Sequence, residues 1–378
     1  MDTRSFPTSS ESIDIVIVGG GQAGLALGYH LARSQRDFVI LDAGGRVGDG
    51  WRRRWDSLRL FTPAKFNGLP GMPFPGDRLS FPTKDQQADY LEAYAARFAL
   101  PVRTGIRVER VQREGDGFIV EAGNRRWRAN SVVLATGGEQ VPFVPAFADR
   151  LDESILQLHS SDYRNPAQLR PGAVLVVGVG NSGAEIAREL SAHRPVLLAG
   201  EPVGELPFRH GRTAARFALP LVRFAGTRVL TLGTPIGRKV AARFRGAPLI
   251  RTRLRDLAAA GVTRVQRITQ IVNGRPSTAD GQVLDVANVL WCTGYREDFG
   301  ILDLPEASPS RRPDQVRGVV SAVPGLYLLG QEFLFAAASA TLPGVRGDAK
   351  YLASRIAAQD RSGSDQSMLV GVGGRGRP

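Results

Sequence analysis

The sequence predicts an α/β protein with two Rossmann-like dinucleotide-binding domains, one inserted into the other. Three observations carry this. Residues 15–28 read IVIVGGGQAGLALG and residues 174–187 read VLVVGVGNSGAEIA, the same strand, glycine turn and helix start 159 positions apart. Each unit continues into a second apolar strand followed by an acid, Asp42 in the first and Glu201 in the second. Two more apolar strands, VVLATGG (132–138) and VLWCTGY (289–295), both run into Thr-Gly, at Thr136 and at Thr293-Gly294, where the chain would leave the first domain and return to it.

In chain order, residues 13–18 form a buried strand, 22–33 a helix with small and apolar residues at helical spacing, and 37–41 a second strand. Residues 44–83, dense in Gly, Pro, Trp and Arg, read as an irregular excursion. A helix over 85–98 precedes an antiparallel meander over 107–112, 118–122 and 126–128, then a buried strand over 132–135. After Pro171 the pattern restarts with a strand at 173–177, a helix at 182–191 and a strand at 195–199. A basic segment, an apolar stretch over 263–271, strands at 283–291 and 326–329 and a helix over 347–357 follow. The expected division is 1–165 for the first part of the FAD domain, 166–290 for the NAD(P)H domain and 291–360 for the FAD-domain return. The Gly/Ser-rich stretch 361–378 is expected to be disordered.

The formal net charge is +13, but it is local: positions 206–255 hold twelve Lys or Arg and no Asp or Glu, leaving 37 basic against 36 acidic residues elsewhere. A solvated helix face, an anion-steering rim or a peripheral contact with acidic lipid each fit this segment. No nucleic-acid motif surrounds it. The N-terminal residues MDTRSFPTSSES carry no apolar run and no stretch is apolar enough to span a bilayer, so a cytoplasmic protein is expected. The single cysteine, Cys292, fits packing in an apolar strand and leaves no Cys-x-x-Cys centre and no cysteine metal site.

Gly19, Gly21 and Gly24 form G-x-G-x-x-G around Gln22 and Ala23; Gly178, Gly180 and Gly183 repeat it around Asn181 and Ser182. The first glycine makes the turn, the second lets backbone approach a pyrophosphate, and the third allows close helix–strand packing. Asp42 lies 18 residues past Gly24 and Glu201 18 past Gly183, where an acid binds ribose hydroxyls. Two dinucleotides are therefore implied, FAD on the first unit and a nicotinamide nucleotide on the second. Glu201 favours NADH by repelling a 2′-phosphate, whereas Arg209 and Arg212 nearby favour NADPH, and both readings stay open.

Four stretches carry a family resemblance: GGGQAGLALGYHL (19–31), GDGWRRRWDSLRLFTPAKFNGLPGMPFPG (48–76), LHSSDYRNPAQLRPGAVLVVGVGNSGAEIARELS (158–191) and VANVLWCTGYRED (286–298). Through them the chain resembles class B flavin-dependent monooxygenases, close to the flavin-containing monooxygenases, the plant YUCCA enzymes and the bacterial CzcO-like branch. The resemblance implies a pyridine nucleotide-disulfide oxidoreductase-like fold. It matches His159 and Tyr163 to the second half of the family's Phe-x-Gly-x-x-x-His-x-x-x-Trp/Tyr/Phe fingerprint; the Phe-x-Gly half is missing. It implies a conformational role for His159, FAD contacts from Gln22, Trp51 and Arg52, and a flavin-side loop at Leu60, Thr62 and Asn67, with Asn67 assisting oxygen activation. Asn181 and Ser182 would touch the second pyrophosphate, and the stretch 331–345, starting at Gln331, would close over the flavin.

The implied reaction is transfer of a hydride from NAD(P)H to flavin, addition of O₂ to give a C4a-(hydro)peroxyflavin, and oxygenation of a small amine, sulfide or α-keto acid. The expected partners are that substrate and O₂, in a monomer or homodimer. The alternative is a flavoprotein reductase that passes electrons to a protein or quinone without oxygenation.

Overall fold

The computed structural model describes residues 9–370. In chain order its strands are β1 Ser9–Val18, β2 Phe38–Leu41, β3 Val102–Arg103, β4 Arg110–Glu114, β5 Gly117–Ala122, β6 Arg125–Leu134, β7 Val141–Pro142, β8 Leu156–His159, β9 Val174–Val177, β10 Val196–Ala199, β11 Thr263–Val265, β12 Ile268–Val272, β13 Arg275–Thr278, β14 Asn288–Trp291, β15 Tyr295–Arg296, β16 Leu302–Asp303 and β17 Leu326–Leu328. Its α-helices are α1 Gln22–Arg33, α2 Asp49–Arg52, α3 Lys84–Arg97, α4 Asn181–Ser191, α5 Arg212–Phe224, α6 Pro235–Ala242, α7 Leu254–Ala259 and α8 Leu342–Val370.

An eight-stranded sheet runs β16-β4-β5-β6-β1-β2-β3, with β17 also paired to β6. Ile15, Val16 and Ile17 of β1 have no exposed surface, so each contributes about 1.5–3 kcal/mol of burial. β6 joins two regions that the sequence separates. Its N-terminal half pairs antiparallel with β5, Phe118 opposite Ala129, and its C-terminal half pairs parallel with β17, Leu326 opposite Val132. The expected third meander strand and the buried strand at 132–135 are thus one strand. Asn130 and Ser131 hide the continuity, because two polar residues break the apolar run without breaking the backbone ladder.

A second sheet of five parallel strands runs β11-β10-β9-β14-β8. β8 has no counterpart in the sequence reading, because LQLH is short and mixed in polarity. Its pairing with β14 brings the second sheet's first strand in at Leu156, ahead of the expected boundary at 165/166. The apolar stretch 263–271 divides between this sheet and a β12–β13 hairpin, because β11 ends at Val265 and exposed Gln266 and Arg267 turn the chain. Each sheet buries a tryptophan whose indole N–H finds an acceptor: Trp127 donates to Glu11 Oε2 at 3.2 Å, and Trp291 to Gln157 Oε1 at 3.1 Å.

The sheets are linked by two crossings that pair with each other. β7 and β15, just past the two Thr-Gly turns, form an antiparallel ribbon with Tyr295 opposite Pro142. The basic segment is fastened at several points, while one face of its helix α5, with Phe217, Leu221 and Phe224, stays exposed. His210 Nε2 bonds Phe61 O at 2.9 Å, Arg212 pairs with Asp77, and Arg251 reaches Glu185 and Arg59 O, each at 2.9 Å. Backbone bonds from Leu232 N to Phe335 O and from Ala337 N to Leu230 O fasten it to the return segment. Helix α8 starts five residues earlier than expected and continues to Val370, through the first ten residues of the stretch expected to be disordered. Those ten contain one glycine and no proline, so nothing in them stops a helix; residues 371–378 lie outside the described residues.

Candidate functional site

The two glycine turns have matching backbone geometry. Gly19 has φ +112° and Gly178 φ +111°, left-handed values that favour glycine. A Cβ on Gly19 would lie 2.5 Å from Ala135 O, and one on Gly178 2.3 Å from Cys292 O. Each first glycine is therefore pressed against the end of the crossing strand that leads into Thr-Gly. A Cβ on Gly24 would lie 2.0 Å from Gly19 O, and one on Gly183 2.0 Å from Gly178 O. At Gly21 and Gly180, the N-caps of α1 and α4, a Cβ would meet nothing within 4 Å. Both helices thus open on unobstructed first-turn N–H groups that lack intrahelical partners, the geometry that receives a pyrophosphate.

Around the first turn, Asp42 Oδ2 accepts from Gly20 N at 2.6 Å and Oδ1 from Gly44 N at 2.7 Å. A carboxylate oxygen has two lone pairs, so each keeps one for a ribose hydroxyl. Gln22 Nε2 donates to Ala340 O at 3.0 Å, tying the turn to the start of α8. A Cβ on Gly330 would come within 2.8 Å of Ala23 Cβ, so the return segment lies directly on α1. The next residue, Gln331, is fully buried; its Nε2 donates to Leu134 O at 3.3 Å, and its Oε1 has no partner. A buried acceptor without a donor costs about 1–3 kcal/mol, and the hydroxyls of a flavin's ribityl chain are the donors that would satisfy it. Open Gly21, available Asp42 and unpaired Gln331 together fit FAD.

Other expected contacts are placed differently. Trp51 is half-buried on α2, but Arg52 beside it gives its guanidinium to Val47 O at 2.7 Å, Asp89 at 2.9 Å and Glu92 at 3.1 Å. The carboxylates of α3 thus hold this guanidinium. Asn181 is likewise engaged: its Nδ2 donates to Pro248 O at 3.0 Å and its Oδ1 accepts from Ile250 N at 2.9 Å. Only its backbone and the half-buried Ser182 face the second turn. Thr136 is exposed and accepts from Gln140 Nε2, and Thr293 donates to Phe143 O, so both serve the crossing ribbon.

The three residues expected at the chemistry are all pinned. Asn67, fully buried, donates to Thr62 O at 3.1 Å and accepts from Thr62 Oγ1 at 2.5 Å, which closes the 62–67 loop. His159 Nδ1 accepts from Ser161 N at 3.1 Å, which leaves the proton on Nε2 to donate to Gly294 O at 3.0 Å. Burial is the main cause that holds His159 below the usual histidine pKa, so the ring is neutral at pH 7. It fastens the fingerprint strand to the second Thr-Gly turn, a joint rather than a base. Tyr163 has no exposed surface, and its hydroxyl donates to Glu189 Oε2 at 2.8 Å. Burial first, and the Glu189 carboxylate second, push the phenol far up. The expected catalytic role of Tyr163 gives way to a structural one, since its side chain has no exposed surface and its hydroxyl is taken by Glu189. Tyr163→Phe is expected to lower stability by about 1.5–3 kcal/mol, the worth of a hydrogen bond to a charged group, and to leave kcat unchanged; thermal denaturation beside steady-state turnover checks this.

At the second acid, Glu201 is exposed and its Oε2 pairs with Arg264 Nη2 at 3.0 Å; the same nitrogen bonds Gly200 O at 3.0 Å. Arg212 is paired with Asp77, and Arg209 is exposed. The basic group beside Glu201 is therefore Arg264, which sequence reasoning missed because it lies 63 residues away and arrives through the β10–β11 pairing. Arg54 was missed too. The third of three consecutive arginines in WRRRW, it pairs with Glu139 near His159. Cys292 is buried and its thiol is pushed up to about 12, so it is inert packing. Among the described residues no His/Cys/Asp/Glu group is arranged to hold a metal, and no helix is long and apolar enough to cross a membrane.

Comparisons with known proteins agree with this geometry. The pyridine nucleotide-disulphide oxidoreductase family profile matches residues 16–197. A CzcO-like uncharacterized oxidoreductase of Geobacillus kaustophilus is 39% identical over 347 residues, 91% of this chain and 98% of that protein. The probable indole-3-pyruvate monooxygenase YUCCA7 of Arabidopsis thaliana is 30% identical over 327 residues, 75% of this chain and 74% of that protein. The solved structure of a flavin-containing monooxygenase from Stenotrophomonas maltophilia superposes with TM-score 0.75 at 31% identity, covering 92% of this chain and 99% of that one. With both glycine turns, the paired crossings and a near-complete match to such relatives, the chain belongs to the class B flavin-dependent monooxygenases, in their CzcO-like branch.

Proposed function

We propose that the chain is an NADPH-dependent, FAD-containing oxygenase of a small organic substrate of the amine, sulfide or α-keto-acid type. The observation that carries this is the duplication: two open helix N-termini of the same geometry, the first with the buried, unpaired Gln331 acceptor beside it, the second flanked by Asn181, whose amide is already satisfied at Pro248 and Ile250. The first suits a resident nucleotide and the second an exchanging one. Bound FAD supplies the hydride acceptor and the oxygen-activating centre. The protein's own residues hold and shield it. The α1 N–H groups would take the pyrophosphate, Asp42 the ribose and Gln331 the ribityl chain. The bonds between half-buried Thr62 and buried Asn67 would keep the flavin-side loop closed against water.

At the second turn the α4 N-terminus would take the pyrophosphate and Arg264 the 2′-phosphate, by turning from Glu201 to the ligand. Arg264→Gln is expected to raise KM for NADPH about tenfold or more, the worth of one charge-assisted hydrogen bond, and to leave KM for NADH nearly unchanged. Steady-state kinetics with both nucleotides reads this. An equal change for the two would remove Arg264 from the phosphate site.

The reading is tested by mixing anaerobically NADPH-reduced protein with oxygen in a stopped-flow spectrometer. The expected result is a resolved absorbance phase between reduced and oxidised flavin. A one-step return to oxidised flavin with stoichiometric H₂O₂, even with candidate substrates present, would favour the reductase.

A further inference from the structure

A cavity of ≈ 600 Å³ lies away from both glycine turns. It sits between the last turn of α1, the end of α5, the return segment and the first turns of α8. Neither the glycines of the two turns nor Asp42, Gln331, Glu201 or Arg264 line it. Its wall carries Arg223, Arg228, Arg317, Arg346 and Lys350 against one carboxylate, Asp348. Among the described residues these five cations form no ion pair with one another's neighbours on the wall, whereas Arg212 and Arg251 of the same basic segment are both paired. Arg223 sits close enough to Arg346 and Arg228 for their charges to depress its pKa, after burial, which is the larger cause. Like charges gathered this way repel unless an anion lies among them.

The cavity is also prearranged. The Arg317 guanidinium is held between the rings of Phe335 and Tyr351, 4.1 and 4.2 Å from their centroids. Its backbone is left-handed, with φ +52°, an unusual conformation for arginine. Arg223 lies 5.0 Å over Phe66. Three polar atoms on the wall are buried without any hydrogen-bond partner: His30 Nε2, Arg317 Nε and Asp348 Oδ2, the last on a side chain whose residue is only 4% exposed. The second oxygen of Asp348 is within reach of Ser339, so Oδ2 alone is left over. These atoms have almost no accessible surface, so they lie behind the wall's surface, and the groups a ligand meets there are the cations. Phe335, Ala336, Pro70 and Pro343 give the rest of the wall an apolar lining, and the volume is that of a small-molecule site.

We propose that this cavity is a separate ligand site for a small organic oxyanion, a carboxylate or phosphate ester, with its charged head among Arg223, Arg317 and Arg346 and its apolar body against Phe335 and Pro343. Arg317 supplies a fixed planar donor set, and Arg346 and Arg223 close around the head.

The test is calorimetric titration of the FAD-loaded protein, without NADPH, in a buffer free of phosphate and carboxylate. Benzoate, phenyl phosphate and benzamide are the probes. Saturable binding of benzoate or phenyl phosphate is expected, about tenfold or more tighter than neutral benzamide, and whichever anion binds tighter identifies the head group. Arg346→Gln, on the helix surface, and Arg317→Gln are each expected to weaken the anion about tenfold, while exposed Arg107→Gln, outside the cavity, changes nothing. Arg317→Gln disturbs a packed guanidinium, so Arg346→Gln carries the result if the former loses its flavin. Benzamide binding as tightly as the anions, anion affinity unchanged in Arg346→Gln, or loss of the anion site on saturation with NADP⁺ would each overturn the proposal. Neither NADPH oxidation nor O₂ enters the measurement, so its failure leaves the oxygenase reading intact.

Discussion

Gly180→Val is expected to yield a folded, flavin-loaded protein that NADPH no longer reduces. Gly180 has φ −87° and ψ −177°, extended backbone that any residue adopts, and a Cβ there meets nothing within 4 Å. The fold has room for the side chain, and only the loss of a favourable N-cap residue, about 1 kcal/mol, is expected in stability. The isopropyl group would stand where backbone must come close to a pyrophosphate, at the mouth of α4. A loss of about 100-fold in NADPH-driven flavin reduction follows, equivalent to about 2.7 kcal/mol, while dithionite still reduces the flavin. Anaerobic stopped-flow reduction with each reductant checks this. Reduction by NADPH at close to the parent rate would show that the second turn does not receive the nicotinamide nucleotide.

Gly24→Ala is expected to do the opposite: lose flavin and stability together. The added Cβ would lie 2.0 Å from Gly19 O and 3.2 Å from Ile17 Cγ2. The first of these is backbone of the turn itself, so no side-chain rotation relieves it, and α1 must move away from β1. Overpacking of this kind costs about 1–3 kcal/mol, and occasionally more. The displaced helix N-terminus also takes the pyrophosphate site with it. Gly28→Ala, four residues along the same helix, is the control. Its Cβ would meet the tip of Ile40 at 2.9 Å and the ring edge of Phe38 at 3.2 Å, side chains that can shift. Thermal denaturation and flavin absorbance per protein should rank parent, Gly28→Ala and Gly24→Ala in falling order. A Gly24→Ala protein with the parent's melting temperature and flavin content would contradict the close helix–strand packing.

Much of the site was legible because its information is local. Each glycine turn lies within about ten residues, and the chemistry of a turn, an open approach and a tight helix crossing selects glycine at three fixed spacings. The matched offset to Asp42 and Glu201 follows from strand and helix lengths that both units share. The resemblance implies a conformational role for His159, and its bonds to Ser161 and Gly294 tie the fingerprint strand to the second Thr-Gly turn. Arg52 and Asn181 are nucleotide contacts only in what the resemblance implies, and side-chain direction is set by what lies across from them. The α3 carboxylates take Arg52, and the backbone at Pro248 and Ile250 takes Asn181.

The sequence by itself determined that this chain has two dinucleotide turns, their order and the crossings between them, since periodicity and glycine spacing are properties of neighbouring residues. Tertiary structure alone decided the partners. It set Arg264 beside Glu201, ran β6 from the meander into the parallel sheet, and gathered His30, Arg223, Arg317 and Asp348 from four distant segments around one basic cavity. Contacts of that kind depend on how strands pair and helices pack, and no spacing along the chain encodes the identity of a residue that arrives from another sheet.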